Sequence, residues 1–255
     1  EYMAALLTSV RDDKDKSALY LNESRRMGIT VLPPSVNESR AAFAAVGSDI
    51  RFGMEAIRNV GRNVVDAIVA AREEKGKFTS FSDFLEKVPA SVCNKRTIES
   101  LIKGGAFDDL GHPRGGLLRI HEDYVDAFVE AKRAEAMGQD SLFGGLDEEF
   151  SADLSGLPPI PQIAWDKRTQ LGHERDMLGL YVSDHPLFGI EHVLIRHSDT
   201  GIAALLEEDS GHEDGAQVVV AGLITSMAVK RNKKGDPYAT VTVEDASFGE
   251  DKEKT

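Results

Sequence analysis

Between Gly138 and Trp165 the chain carries four glycines (Gly138, Gly144, Gly145, Gly156) and three prolines (Pro158, Pro159, Pro161). No regular element survives that density of breakers. The break divides two regimes of pattern. Before it, apolar residues recur at helical spacing; after it, one more helical run gives way to alternation of period two. A chain patterned in this way is multidomain and mainly α, with a β segment at its end.

Smaller breaks subdivide the first part. Residues 2–13 and 15–28 read as two helices, with Tyr2, Ala5, Leu6 and Val10, then Leu19, Leu21 and Met27, on their apolar sides. Leu32-Pro33-Pro34-Ser35-Val36-Asn37 must be extended, because proline restricts the residue before it and cannot continue a helix. A short strand is expected at Ile50-Arg51-Phe52, then short helices at about 54–59, 62–74, 80–87 and 94–103, and a longer one over 114–137. Beyond the break, a helix resumes over Trp165–Leu178. Gln217–Lys230 and Pro237–Glu244 then form a hairpin around the basic tip Arg231–Asp236, whose loop is longer than two residues.

Length and charge narrow the class. A chain of 255 residues holds two or three compact units. The net charge of −13 is unevenly spread: residues 50–119 hold 12 Lys/Arg against 9 Asp/Glu, whereas residues 146–215 hold 4 against 15. The basic segment is thus permitted, though not required, to meet a polyanion. No apolar run approaches the roughly 20 residues that cross a bilayer, so no membrane partner is expected. A basic leader is missing from Glu1-Tyr2-Met3-Ala4, and the lack of an initiator Met suggests a piece of something longer. One cysteine, Cys93, excludes an internal disulfide framework and a thiolate zinc site, and points to the cytoplasm.

Three features could carry function. Ala56-Ile57-Arg58-Asn59-Val60-Gly61-Arg62 has the form of a helix-hairpin-helix: a short helix, a tight apolar-glycine turn, a second helix. Gly61 lets backbone approach a phosphate, and free N–H groups at the next helix face it without regard to base. Arg58 and Arg62 add charge. Leu101-Ile102-Lys103-Gly104-Gly105-Ala106-Phe107 is a looser second copy, in which Lys103 supplies the charge. The alternative is that these glycines only end helices. Next, Gln139-Asp140-Ser141-Leu142-Phe143 lies between glycines with no apolar stripe to join. As an extended peptide it could seat Leu142 and Phe143 in a partner's pockets, or fold them back on its own domain. Third, the terminal β segment suits the opening of an OB-fold, which binds single strands, or of any small barrel or sandwich.

Searches for bond-making chemistry fail. Gly76-Lys77 lacks the earlier glycine of a P-loop, Ala71 standing in its place, and neither GxSxG nor HExxH occurs. His192 and His197 read as surface residues; Asp12, Asp13, Asp15, Asp108 and Asp109 sit in turns where acids cap helices. No catalytic residue, metal ligand or cofactor site is assigned.

Taken together, these segments resemble one family, the alpha subunits of bacterial DNA polymerase III. Arg26–Asn37 is similar to the stretch closing that family's fingers region, and Phe52–Gly61 with Ile102–Asp108 to its tandem helix-hairpin-helix. Gln139–Phe143 resembles its clamp-binding pentapeptide, and Leu178–Leu187 the stretch before its OB domain. The resemblance implies an end of fingers over 1–48, a tandem helix-hairpin-helix domain over 49–137, a clamp motif and linker over 138–165, a helical connector over 166–210 and a truncated OB-fold over 211–255. It implies duplex DNA, the sliding clamp, a single-stranded template and other replisome subunits as partners. Template-directed synthesis with Mg2+ belongs to a palm that no part of this chain resembles, so this piece is expected to be inert. Ser35, where the family usually has an acid, reads as a surface variation. A helix-hairpin-helix repair protein, ligase or excision nuclease, and a non-enzymatic clamp and DNA adaptor are the competing readings.

Overall fold

The computed structural model describes residues 1–11, 13–136, 156–206, 211, 213 and 215–245. They belong to two compact units, Glu1–Ser183 and Asp184–Thr255.

The first unit opens with α1 (Tyr2–Ser9) and α2 (Lys14–Arg26). Asp13 caps α2, its carboxylate accepting the Lys16 N–H at 3.1 Å. A small sheet follows in the order β1 (Val31–Leu32), β3 (Asp49–Arg51), β2 (Ala44–Val46). β1 runs parallel to β3 and β2 antiparallel to it. Only the central strand was expected. Its neighbours are two and three residues long, too short to show an alternation of their own. Arg51 ties β3 back to the proline segment, donating to the Pro33 carbonyl at 2.9 Å and pairing with Glu38.

The helix expected over 54–59 shrinks to one 3-10 turn, Met54–Ala56. Asn59, with φ +65°, has left helical space before a second turn can form. Beyond it come α3 (Arg62–Lys75), α4 (Phe81–Lys87), α5 (Lys95–Lys103) and α6 (Arg114–Ala136). Phe81 and Phe84 of α4 both meet Phe107 edge to face, with centroids 5.3 and 4.9 Å apart. Each such buried ring contributes roughly 1.5–3 kcal/mol, and together they seal the helical core.

Part of the expected linker is packed. From Leu157 to Trp165 the chain runs along α6, where Gly116 donates its N–H to the Ile163 carbonyl at 3.1 Å and Tyr124 its hydroxyl to the Pro158 carbonyl at 2.8 Å. A Cβ on Gly115 would lie 2.6 Å from the Ile163 oxygen, so this close crossing needs a glycine. Next, α7 (Lys167–Leu178) joins the core through Arg114. That buried guanidinium binds both oxygens of Asp108, at 2.7 and 2.5 Å, and Glu174 Oε1 at 2.9 Å. Arg114 and Glu174 are both buried, and removing one partner of such a pair costs about 3–5 kcal/mol.

In the second unit, α8 (Glu191–Arg196) and α9 (Ile202–Leu206) precede an antiparallel hairpin of β4 (Leu223–Arg231) and β5 (Pro237–Glu244). Asn232 shapes its loop, Oδ1 accepting the N–H groups of Lys234 and Asp236. Thr225 bulges out of the ladder, which keeps Ile224, Met227 and Val229 on one face opposite Val243, Val241 and Ala239. β4 begins at Leu223, not Gln217: before it, Val219 is held by Asp199 through both its N–H and its carbonyl. The fold is therefore mainly α, followed by a two-stranded β hairpin. No helix among the described residues is long and apolar enough to cross a membrane.

Candidate nucleic-acid interface

Two buried side chains, Ile57 and Val60, pin the turn that opens α3. Between them the backbone reverses. Val60 donates its N–H to the Ile57 carbonyl at 3.1 Å, and Asn59 takes the left-handed conformation that costs an ordinary residue roughly 1–2 kcal/mol. Partners on both sides hold it there. Asn59 Nδ2 donates to Ser100 Oγ at 3.0 Å, Thr97 Oγ1 donates to the Asn59 carbonyl at 3.3 Å, and the Arg58 N–H reaches Met177 O of α7 at 2.9 Å.

Gly61 is the N-cap of α3, with φ −83° and ψ 158° and no side chain to cap with. A Cβ placed there would meet nothing within 4 Å. The Val64 and Val65 N–H groups return to the Gly61 carbonyl. Those of Gly61, Arg62 and Asn63 find no acceptor among the described residues, and all three residues are exposed. Three free amides at the positive end of a 14-residue helix can receive an anion.

Basic residues lie on the same turn and at the start of α5. Arg58 is exposed with no side-chain partner among the described residues. Arg62 is bound to Asp66 at 3.1 Å and to Glu55 at 3.5 Å, and the Asp66 hydrogen bond holds its pKa above the ordinary value. Such exposed pairs are weak, about 0–1 kcal/mol, so a phosphate can displace the carboxylate. Arg96, in the first turn of α5, is exposed and likewise unpaired among the described residues.

The second hairpin is not where the glycines suggested. Thirty-three positions after Val60-Gly61-Arg62 stand Cys93-Asn94-Lys95, and the buried Val65 and Ile68 of α3 are matched by Ile98 and Leu101 of α5. The repeat of the α3 start is therefore the start of α5, preceded by the loop 88–94. There Asn94 closes its own helix, Oδ1 accepting from the Arg96 and Thr97 N–H groups. Lys103, Gly104 and Gly105, by contrast, lie at the far end of α5, where helices expose carbonyls instead of amides. The Gly104 N–H goes to Ser100 O and the Gly105 N–H to Ile102 O; both glycines are buried. Lys103 is paired with Glu99. A phosphate cradle is not available at these three residues. Asn94 and Arg96 escaped the sequence reading, although the repeated apolar spacing was a usable signal.

Residues 28–117 match the family model described as a helix-hairpin-helix motif. The chain is 52% identical over 250 residues to the DNA polymerase III subunit alpha of Mycobacterium tuberculosis (strain CDC 1551 / Oshkosh), a match covering 98% of this chain and 21% of that protein. This stretch of sequence belongs to the DNA polymerase III alpha subunits. The corresponding protein of Saccharopolyspora erythraea is 54% identical over 251 residues, covering 96% of this chain and 21% of the relative. That of Thermus aquaticus is 36% identical over 248 residues, covering 96% and 19%. The chain thus spans about a fifth of the length of these alpha subunits.

Two further readings change within this alpha-subunit segment. Ser35 is buried, not a surface variation: its hydroxyl donates to Asp109 at 2.9 Å and accepts the Asn37 N–H at 3.0 Å. Asp109 is therefore engaged, as Asp108 is by Arg114, and neither side chain caps a helix. Cys93 is buried beneath α4, and that burial pushes its thiol pKa up, away from reactivity. The pentapeptide Gln139, Asp140, Ser141, Leu142 and Phe143 lies outside the described residues.

Proposed function

We propose that this chain grips duplex DNA without reading its sequence, within an alpha subunit that performs template-directed DNA synthesis with Mg2+ in its palm. The observation that carries the reading is the uncapped start of α3. Its three amides have no acceptor among the described residues, Arg58 and Arg62 flank them in the chain, and Arg96 opens α5, which the Thr97 hydroxyl joins to the Asn59 carbonyl. Backbone amides at a helix start meet phosphate oxygens, and contacts to phosphate carry no base information. Gly61→Val is the direct test, because the space beside Gly61 is open and its backbone angles suit any residue. The variant should melt as the parent does and bind two unrelated duplexes about tenfold more weakly, with parent binding falling steeply between about 50 and 200 mM salt. Equal binding by a folded variant ends this reading.

Gln139–Phe143 is proposed to dock on the sliding clamp, with Leu142 and Phe143 as anchors. Replacing both by alanine should weaken clamp binding by about a hundredfold and leave DNA affinity alone. A fall in melting temperature with unchanged clamp affinity would show instead that the two side chains belong to this chain's own core. The β unit is proposed to open an OB-fold that meets single-stranded template, supported by an alternating hairpin with a basic tip. Other replisome subunits and a cytoplasmic setting follow from the same family reading.

A further inference from the structure

We propose that Asn59 is a positioning residue that holds two phosphate contacts in register: the amides of Gly61, Arg62 and Asn63, and the first turn of α5 from which Arg96 projects. The inference rests on the DNA reading above and adds to it a coupling between the two hairpins.

Two side-chain hydrogen bonds cross from the 57–61 turn to α5, and both involve Asn59. Its amide donates to Ser100 Oγ at 3.0 Å; Ser100 Oγ in turn donates to the Arg96 carbonyl at 2.9 Å. Its own carbonyl accepts from Thr97 Oγ1, on the residue next to Arg96. Ser100 is 2% exposed, so water competes little for this relay. Asn59 is also the one non-glycine residue with positive φ among those described, and it lies two positions before Gly61. Its conformation aims the amides of Gly61, Arg62 and Asn63, while its side chain ties the turn to the α5 backbone at Arg96, from which the guanidinium projects. A duplex backbone that meets both points at once gains from their being pre-arranged. Each guanidinium engaged on a phosphate also steepens the salt dependence by about one counterion.

The test measures duplex affinity of the 255-residue chain across a salt series, with melting temperatures alongside. Asn59→Gly keeps the left-handed backbone and removes only the side-chain link; Ser100→Ala removes the other end. Each should weaken binding about three- to tenfold, and the double variant no more than either single. Arg96→Ala should cost about threefold and about one unit of salt slope in the parent, and nothing further in the Asn59→Gly background. A purely structural role would lower the melting temperature and leave affinity of the folded protein and the Arg96→Ala effect intact, which overturns the proposal. So does parent-like binding by Asn59→Gly and Ser100→Ala when Gly61→Val and Arg96→Ala still weaken it, an outcome that spares the DNA reading. If Gly61→Val and Arg96→Ala are silent as well, the DNA reading and the positioning role fall together.

Discussion

α3 and α5 begin 33 residues apart in the same structural setting, yet they finish their first turns differently. At α3 the cap is Gly61, which offers no acceptor, and the amides of the first turn face outward. At α5 the cap is Asn94, whose side chain takes two N–H groups for itself. Asn94 makes a more stable helix; Gly61 leaves a more useful one. A Gly cap is only a few tenths of a kcal/mol poorer than an Asn cap, so leaving the amides of α3 open costs the helix little stability. The buried residues beneath both helices are the same kind, Val65 and Ile68 against Ile98 and Leu101. Packing therefore sets the frame, and one residue at the cap decides which helix can hold an anion.

The largest effect should separate the two glycine turns of the helical unit. Gly105 has φ +84°, and a Cβ there would lie 2.3 Å from Arg114 Nη2. That guanidinium cannot move aside without loosening Asp108 and Glu174. Gly105→Ala should therefore destabilise the protein by about 2–4 kcal/mol, whereas Gly61→Ala should stay within about 0.5 kcal/mol. Chemical denaturation of both variants checks this. Equal costs would mean that Gly105 is no more constrained than the open turn.

Next in size is an exchange of caps. The extended backbone of Gly61 suits a capping side chain, so Gly61→Asn should match or raise the parent's stability while its side chain takes amides from the ligand. Asn94→Gly should lose a few tenths of a kcal/mol and open a second set of amides. Duplex affinity is expected to fall in the first variant and to hold or rise in the second. If Gly61→Asn binds DNA as the parent does, the amides of α3 are not the contact.

What could be read in the sequence follows from how local each signal is. The boundaries of α3 and α5 were legible because their buried positions recur within a single helix, and Pro33-Pro34 because proline acts on its immediate neighbours. The three-stranded sheet was not, since β1 and β3 pair residues 19 apart and β1 is only two residues long. Gly104-Gly105 misled for a directional reason: an apolar run beside a glycine pair looks alike whether the glycines open a helix or end it. Asn94 was passed over because a search for the chemistry of Gly61 looks for glycine, while the repeat is carried by the spacing of buried residues. Ser35 looked superficial because its partner, Asp109, is 74 residues away.

The smallest effects concern ion pairs that the repeat has turned around. Glu99 of α5 pairs with Lys103, four residues ahead; at the equivalent place in α3, Asp66 pairs with Arg62, four residues behind. An acid preceding its base along a helix is the better arrangement, worth about 0.3–0.5 kcal/mol. The Lys103 hydrogen bond holds the Glu99 carboxyl below its usual pKa, against the opposing pull of burial. A carboxyl whose folded pKa is depressed stabilises the protein above its unfolded value, about 4.3, and that contribution is lost as pH falls through the lower folded value. Glu99→Gln should thus lower stability by a few tenths of a kcal/mol at neutral pH and make the acid limb of the stability curve shallower, with DNA binding unchanged. Asp66→Asn should do something else: it releases Arg62 beside the open amides, so duplex affinity should rise by about two- to threefold. Stability titrations from pH 7 to 3 on Glu99→Gln, set against binding isotherms on Asp66→Asn, tell the two pairs apart. If Asp66→Asn leaves affinity unchanged, Arg62 serves its own helix and the phosphate charge at this site comes from Arg58 and Arg96 alone.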